Sequence, residues 1–187
     1  MKFNYKLILF TSLLVVVAVF SKLYFSTRLE WSGFSPIMAI ALLAGMIIKD
    51  KSASFLLPLA SLFISDVIIE VLFRFKLFPY EGFYGYQLLN YALLLVTTLV
   101  GWLVKGNKMS RVIGGAFIAP TLFYIFSNLT VWFSASFYTK DFNGLTECYV
   151  AALPFYLHSL IATFVFLPAF LFSFNYLTKS EKSLLLV

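Results

Sequence analysis

Apolar residues run along this chain in six long stretches, and most of the charged residues gather in the segments between them. The stretches run from Lys6 to Ser21, Ser35 to Ile48, Ala53 to Phe75, Leu88 to Val104, Val112 to Phe133 and Phe155 to Tyr176. A helix needs about 20 apolar residues to cross the hydrocarbon of a bilayer, with a range of about 17–25. The pattern therefore predicts an all-α, polytopic membrane protein, a bundle of about six transmembrane helices in a single domain. The first two stretches are short for a full crossing, the second most of all, and need local thinning or helical extension into their flanks. Pro120 and Pro168 fall inside spans, where membrane helices tolerate a kink. Ala41 with Gly45, and Ser61 with Ser65, make small-x-x-x-small faces suited to close helix packing.

The first stretch has a second reading. Lys2 and Lys6 followed by Leu7–Phe20 have the order of a secretory signal. Val19-Phe20-Ser21-Lys22 offers no small-x-small cleavage site, which favours a retained span.

Positive charge orients the bundle. With the N-terminus in the cytoplasm, the inner segments carry Lys2, Lys6, Lys49, Lys51, Lys105, Lys108, Arg111, Lys179 and Lys182. The outer segments then carry Lys22, Arg28, Arg74, Lys76 and Lys140. Nine basic residues against five is the direction expected when positive charge is retained inside, so both termini are expected in the cytoplasm. The inner connections, Lys49–Ser52 and Lys105–Arg111, are short and hydrophilic. The outer ones, Lys22–Phe34, Lys76–Gln87 and Ser134–Pro154, are longer and aromatic, as binding segments often are. Within the last, Leu145, Cys148, Tyr149 and Ala152 recur at helical spacing, predicting a short helix over 144–153 at the outer surface.

Composition agrees. The 187 residues are 61% hydrophobic and 12% charged, with a mean hydropathy of +0.94. Soluble domains are about 45–50% apolar and about 25% charged. The net charge of +6 is scattered between apolar segments, so it reads as topology and excludes a nucleic-acid face. Cys148 is the single cysteine, which excludes an internal disulfide and a Cys-based metal cluster.

Ionisable groups within spans are costly, by roughly 2.5–3.5 kcal/mol on insertion scales, and so mark candidate sites. Asp66 and Glu70 lie in the third span, with Arg74 four residues further along the same helical face. They read either as a polar cavity wall open to the outside or as an internal ion-pair ladder that orients the helix. Asn90, Asn128, Trp132 and His158 fall at similar depth, and Tyr149 lies on the predicted outer helix. Together with Asp66 and Glu70 they form the candidate substrate-binding set. For Asn128 interhelical hydrogen bonding is an equal reading, and for His158 packing or an interfacial place is the commoner one. No second His or Cys stands at metal-ligand spacing. No nucleotide loop, zinc-protease helix or hydrolase elbow occurs, so no cofactor and no catalytic activity is expected. Gly114-Gly115 lacks the Lys-Ser/Thr of a phosphate loop, and any energy coupling is expected from a partner.

Several blocks carry a family resemblance: Phe34-Ser35-Pro36-Ile37-Met38-Ala39-Ile40-Ala41-Leu42, Leu56-Leu57-Pro58-Leu59-Ala60 to Ser65-Asp66, and Ser127-Asn128-Leu129-Thr130-Val131-Trp132. Gly144-Leu145 and Cys148-Tyr149-Val150-Ala151-Ala152-Leu153-Pro154-Phe155 complete it. The chain resembles an uncharacterised bacterial six-helix membrane family. In architecture that family is similar to the substrate-binding components of energy-coupling-factor transporters. The resemblance implies a protein of the bacterial cytoplasmic membrane that binds a vitamin, a precursor or a metal ion from outside. It also implies docking onto an ATPase-containing coupling module. Those components commonly carry an Ala-x-x-x-Ala docking face on the first helix, whereas here Ala18 stands alone. Two other classes compete: a non-transport scaffold of the cell envelope, and an intramembrane lipid-modifying enzyme. The last lacks a nucleophile–base pair.

Overall fold

The computed structural model describes residues 5–25, 27–105 and 109–178. These form six α-helices and contain no strand. The helices are α1 (Tyr5–Phe25), α2 (Ile37–Ile47), α3 (Lys51–Arg74), α4 (Gln87–Val104), α5 (Met109–Ser134) and α6 (Phe142–Thr178). A 3-10 turn at Leu29–Trp31 lies between α1 and α2.

Five of the six are long and apolar enough to cross a membrane. Their outward faces are apolar as well. Leu13, Val16 and Phe20 on α1, Leu56, Phe63 and Val67 on α3, and Ile161, Val165 and Phe172 on α6 are all exposed. A soluble protein rarely presents apolar surface on that scale, whereas a bilayer solvates it. The chain is a multi-pass membrane protein.

The short second stretch has a different explanation from thinning or extension. At 11 residues α2 is about 16 Å long, half a bilayer core, and Met38–Met46 are buried without a break. A helix apolar on every face belongs in the centre of a bundle. α2 packs against α3, α4, α5 and α6 and forms the axis around which they stand. Its closest neighbour is α4. A Cβ on Gly45 would lie 2.2 Å from the Thr98 carbonyl oxygen, and one on Gly101 would lie 2.4 Å from that of Leu42. The small-residue face at Ala41 and Gly45 thus meets a glycine on the partner helix, and the two backbones touch.

The last third of the chain departs from expectation. The turn after α5 is short, and α6 runs unbroken for 37 residues through Pro154 and Pro168. The segment 144–153 is therefore the first part of α6 and not a separate surface helix. Its side chains are held by α5: the Tyr149 hydroxyl donates to the Ile125 carbonyl at 2.6 Å, and that of Tyr124 donates to the Tyr149 carbonyl at 2.7 Å. These contacts keep the helix in line where Pro154 lacks an N–H.

The two ends of the bundle differ. Where α3 begins and α4 ends, Asp50 caps α3 by accepting from the Ala53 N–H at 2.7 Å. Nearby the Trp102 indole donates to Ser54 at 3.0 Å, and Phe55 packs on the same ring. That half is filled by a continuous apolar core from Phe10, Leu14, Leu43, Val104, Ala116, Leu167 and their neighbours. The other half, where α1, α3 and α5 end, carries the polar residues and the longer connections.

Candidate functional site

The polar half is organised by one carboxylate. Asp66, on the third turn from the end of α3, is fully buried. Its Oδ1 accepts from the Lys22 ammonium near the end of α1. Its Oδ2 accepts from the Gln87 amide at the start of α4 and from the Tyr91 hydroxyl, the latter at 2.6 Å. A buried charge is tolerated only when paired and hydrogen-bonded, and Asp66 has both an opposite charge and two neutral donors. The network extends outward. The Asn90 amide donates to the Gln87 side-chain oxygen at 3.1 Å and to the Tyr84 hydroxyl at 2.7 Å.

Glu70, one turn further out, holds the connection between α3 and α4. It accepts from Arg74 Nε at 2.9 Å and from the Gly82 N–H at 3.2 Å. Gly82 lies directly on α3, where a Cβ would stand 2.0 Å from the Asp66 carbonyl oxygen. The same connection begins with Lys76 at φ 60°, whose N–H bonds the Phe73 carbonyl while that of Leu77 reaches Leu72. That paired bonding is the usual way a helix stops on a left-handed residue. The segment is thereby folded back against α3, and its Tyr80 and Tyr84 come to face the interior of the bundle.

A second strap crosses between α1 and α2. Gly33, at φ +89°, packs on the Phe155 backbone of α6, an approach that only glycine allows. The Ser32 carbonyl accepts from His158 Nδ1 at 2.9 Å, and Trp31 stacks on the imidazole with centroids 6.0 Å apart.

These segments and the helices line a partly open cavity of about 510 Å³. Its polar wall is made by Lys22, Gln87, Asn90, Ser127 and Asn128. Its aromatic wall includes Phe25, Phe34, Phe123, Tyr124, Phe155 and Tyr156. Ile37, Met38, Leu94 and Pro120 close it toward the apolar half. The Tyr124 and Tyr156 rings lie 4.8 Å apart, and Tyr156 is fixed by its hydroxyl contact of 2.9 Å with Thr121. Tyr84, half exposed, stands at the rim.

Of the residues singled out from sequence, Asn90 and Asn128 line this cavity. Asn128 also donates from Nδ2 to the Tyr124 carbonyl of its own helix at 2.8 Å. Asp66 stands directly behind the cavity wall, reaching it through Lys22 and Gln87. The other four lie elsewhere. Glu70 holds the connection, and His158 the strap. Tyr149 joins α5 to α6, and Trp132 donates to the Thr139 carbonyl at 2.8 Å in the turn after α5. Beside it, Lys140 donates to the Trp132 carbonyl and, at 2.6 Å, to that of Ala135, closing the end of α5.

Lys22 was assigned from sequence to an outer loop, but α1 continues past it to Phe25. A buried aspartate in a span requires a cation, and Lys22 is the basic residue at the matching depth of another helix. That complementarity was a readable signal. Tyr80 and Tyr84 lie in the aromatic outer connection that the sequence marks, whereas the partnership of Gln87 and Tyr91 with Asp66 had no such signal, because it depends on how α4 packs on α3. Among the described residues no group of three or more His, Cys, Asp and Glu side chains could hold a metal.

Fold and cavity together define a multi-pass helical membrane protein with an internal, mixed polar and aromatic chamber in one half of its bundle. The chain matches a family of unknown function, DUF6580, over residues 1–184, and belongs to that family. No curated protein and no solved structure matches it.

Proposed function

We propose that this protein is a membrane-embedded component that binds a small molecule for uptake, with the cavity as its binding site. The observation that carries this reading is the chamber itself. Its volume of about 510 Å³ lies in the range of about 300–1,000 Å³ typical of ligand sites. Amides and hydroxyls on one side and rings on the other supply orientation and contact area. In the bacterial cytoplasmic membrane, with both termini inside, the cavity faces outward and the apolar core seals it from the cytoplasm. A ligand thus enters from outside, and its release inward requires the bundle to rearrange. Energy for that step comes from a partner such as an ATPase-containing module, since the sequence has no phosphate loop. Ala18 is buried within the bundle, so any such partner docks through other residues.

A thermal-stability screen of detergent-purified protein against vitamins and their precursors tests this reading. A compound at about 100 times its dissociation constant stabilises the folded state by roughly 2.7 kcal/mol. Asn128→Ala weakens that effect without loss of membrane insertion. A well-folded sample that no compound stabilises, and that co-purifies with envelope proteins, supports a scaffold instead.

A further inference from the structure

The charge balance of the cavity narrows the kind of molecule it accepts, an inference that rests on the ligand-binding reading above. Among the described residues lining the cavity, Lys22 is the one that carries a formal charge. Its ammonium contacts Asp66, which is buried and lies just behind the wall. The pair presents no net charge to the interior. A cationic ligand meets no open carboxylate, because both Asp66 oxygens are occupied by Lys22, Gln87 and Tyr91. An anionic ligand near Lys22 feels the Asp66 carboxylate at only slightly greater distance, and most of the attraction cancels. The rest of the wall is uncharged and aromatic, so a net ionic charge loses its hydration with little in return. Amides at Gln87, Asn90 and Asn128 instead offer both donors and acceptors. Phe25, Phe34, Phe123 and Tyr156 offer ring faces and edges.

We propose that the cavity takes an electrically neutral molecule that combines a planar ring with amide-like hydrogen-bonding groups, because the Lys22–Asp66 pair cancels its own charge and leaves the wall neutral.

The test uses indole-3-acetamide, indole-3-acetate and tryptamine, which share a ring and differ chiefly in charge. Equilibrium dialysis against the full-length protein in detergent, with protein-free detergent as the control, gives the three affinities. The neutral amide binds tighter than either ion by on the order of tenfold or more. Asp66→Asn leaves Lys22 uncompensated and shifts the preference to the acetate. Lys22→Met leaves Asp66 uncompensated and shifts it to the amine. The Lys22→Met/Asp66→Asn double variant removes both charges and keeps the preference for the amide, so a folded double variant that prefers either ion overturns the proposal even where the single variants fail to fold. Tighter binding of either ion by the wild type, or the same preference in wild type and a folded single variant, overturns the neutrality rule and leaves the binding site intact. Saturable binding of none of the three overturns the binding reading itself and this proposal with it.

Discussion

Replacing Gly82 with alanine strikes the contact that folds the 75–86 connection over the cavity. The new Cβ would stand 2.0 Å from the Asp66 carbonyl oxygen and 2.6 Å from the Glu70 nitrogen, both backbone atoms of α3 that cannot swing aside. Ordinary contact begins near 3.4 Å, so the connection has to retreat by about 1.4 Å. The Gly82 N–H, now 3.2 Å from Glu70 Oε2, is then beyond hydrogen-bonding range. Overpacking costs about 1–3 kcal/mol. The lost bond to the solvated Glu70 carboxylate adds little to this. That cost of about 1–3 kcal/mol lowers the unfolding temperature of a chain this size by on the order of 3–10 °C. Gly85→Ala is the internal control. It lies three residues away in the same connection, a Cβ there meets nothing within 4 Å, and the change stays within about 0.5 kcal/mol. Thermal unfolding in detergent, with limited proteolysis of the connection, separates the two. Equal stability and equal protease resistance of both variants would refute the claim that this segment is seated on α3.

Other consequences follow from the same contacts. Gly45→Ala places a Cβ 2.2 Å from the Thr98 carbonyl oxygen and prises α2 from α4, costing about 1–3 kcal/mol in a denaturant titration. Lys76→Gly relieves the left-handed backbone at φ 60° and raises stability by about 0.5–1 kcal/mol, read as a higher unfolding midpoint. Asp141 accepts from the Gly144 N–H at 2.9 Å and from the Thr139 hydroxyl at 2.7 Å, and these bonds hold its carboxyl below the ordinary value. A lowered folded-state pKa means its contribution is complete above the unfolded value of 3.8 and disappears as pH falls through the folded one. Hydrogen exchange at the first amides of α6 therefore speeds up in that acid range relative to the rest of the helix, and in Asp141→Ala it is already fast at neutral pH.

The spans were legible because apolar length is a direct demand of the bilayer, and α3, α4 and α5 begin and end within about three residues of the expected positions. The role of α2 was not legible, since a central helix and a short span are equally apolar and only the packing tells them apart. The expected connection Ser134–Pro154 is largely helix instead, since α6 begins at Phe142 and Tyr149 bonds it to α5. For the site, the polarity pattern led to Asp66, Asn90 and Asn128, all in or directly behind the cavity wall. It could not separate them from Glu70 and His158, which have the same chemistry but turn it toward connecting segments. The partners of Asp66 lie 44, 21 and 25 residues away in sequence, and no local pattern ties such distances together.

The most direct measurement of the central claim is ligand-induced stabilisation compared between the wild type and Ala152→Trp, an indole placed in the cavity from α6. Neutral ring-containing compounds are screened on both proteins by thermal unfolding. The account predicts that at least one stabilises the wild type and leaves the occluded, still folded variant unmoved. No stabilisation of the wild type by any of them, or equal stabilisation of both proteins, would contradict it.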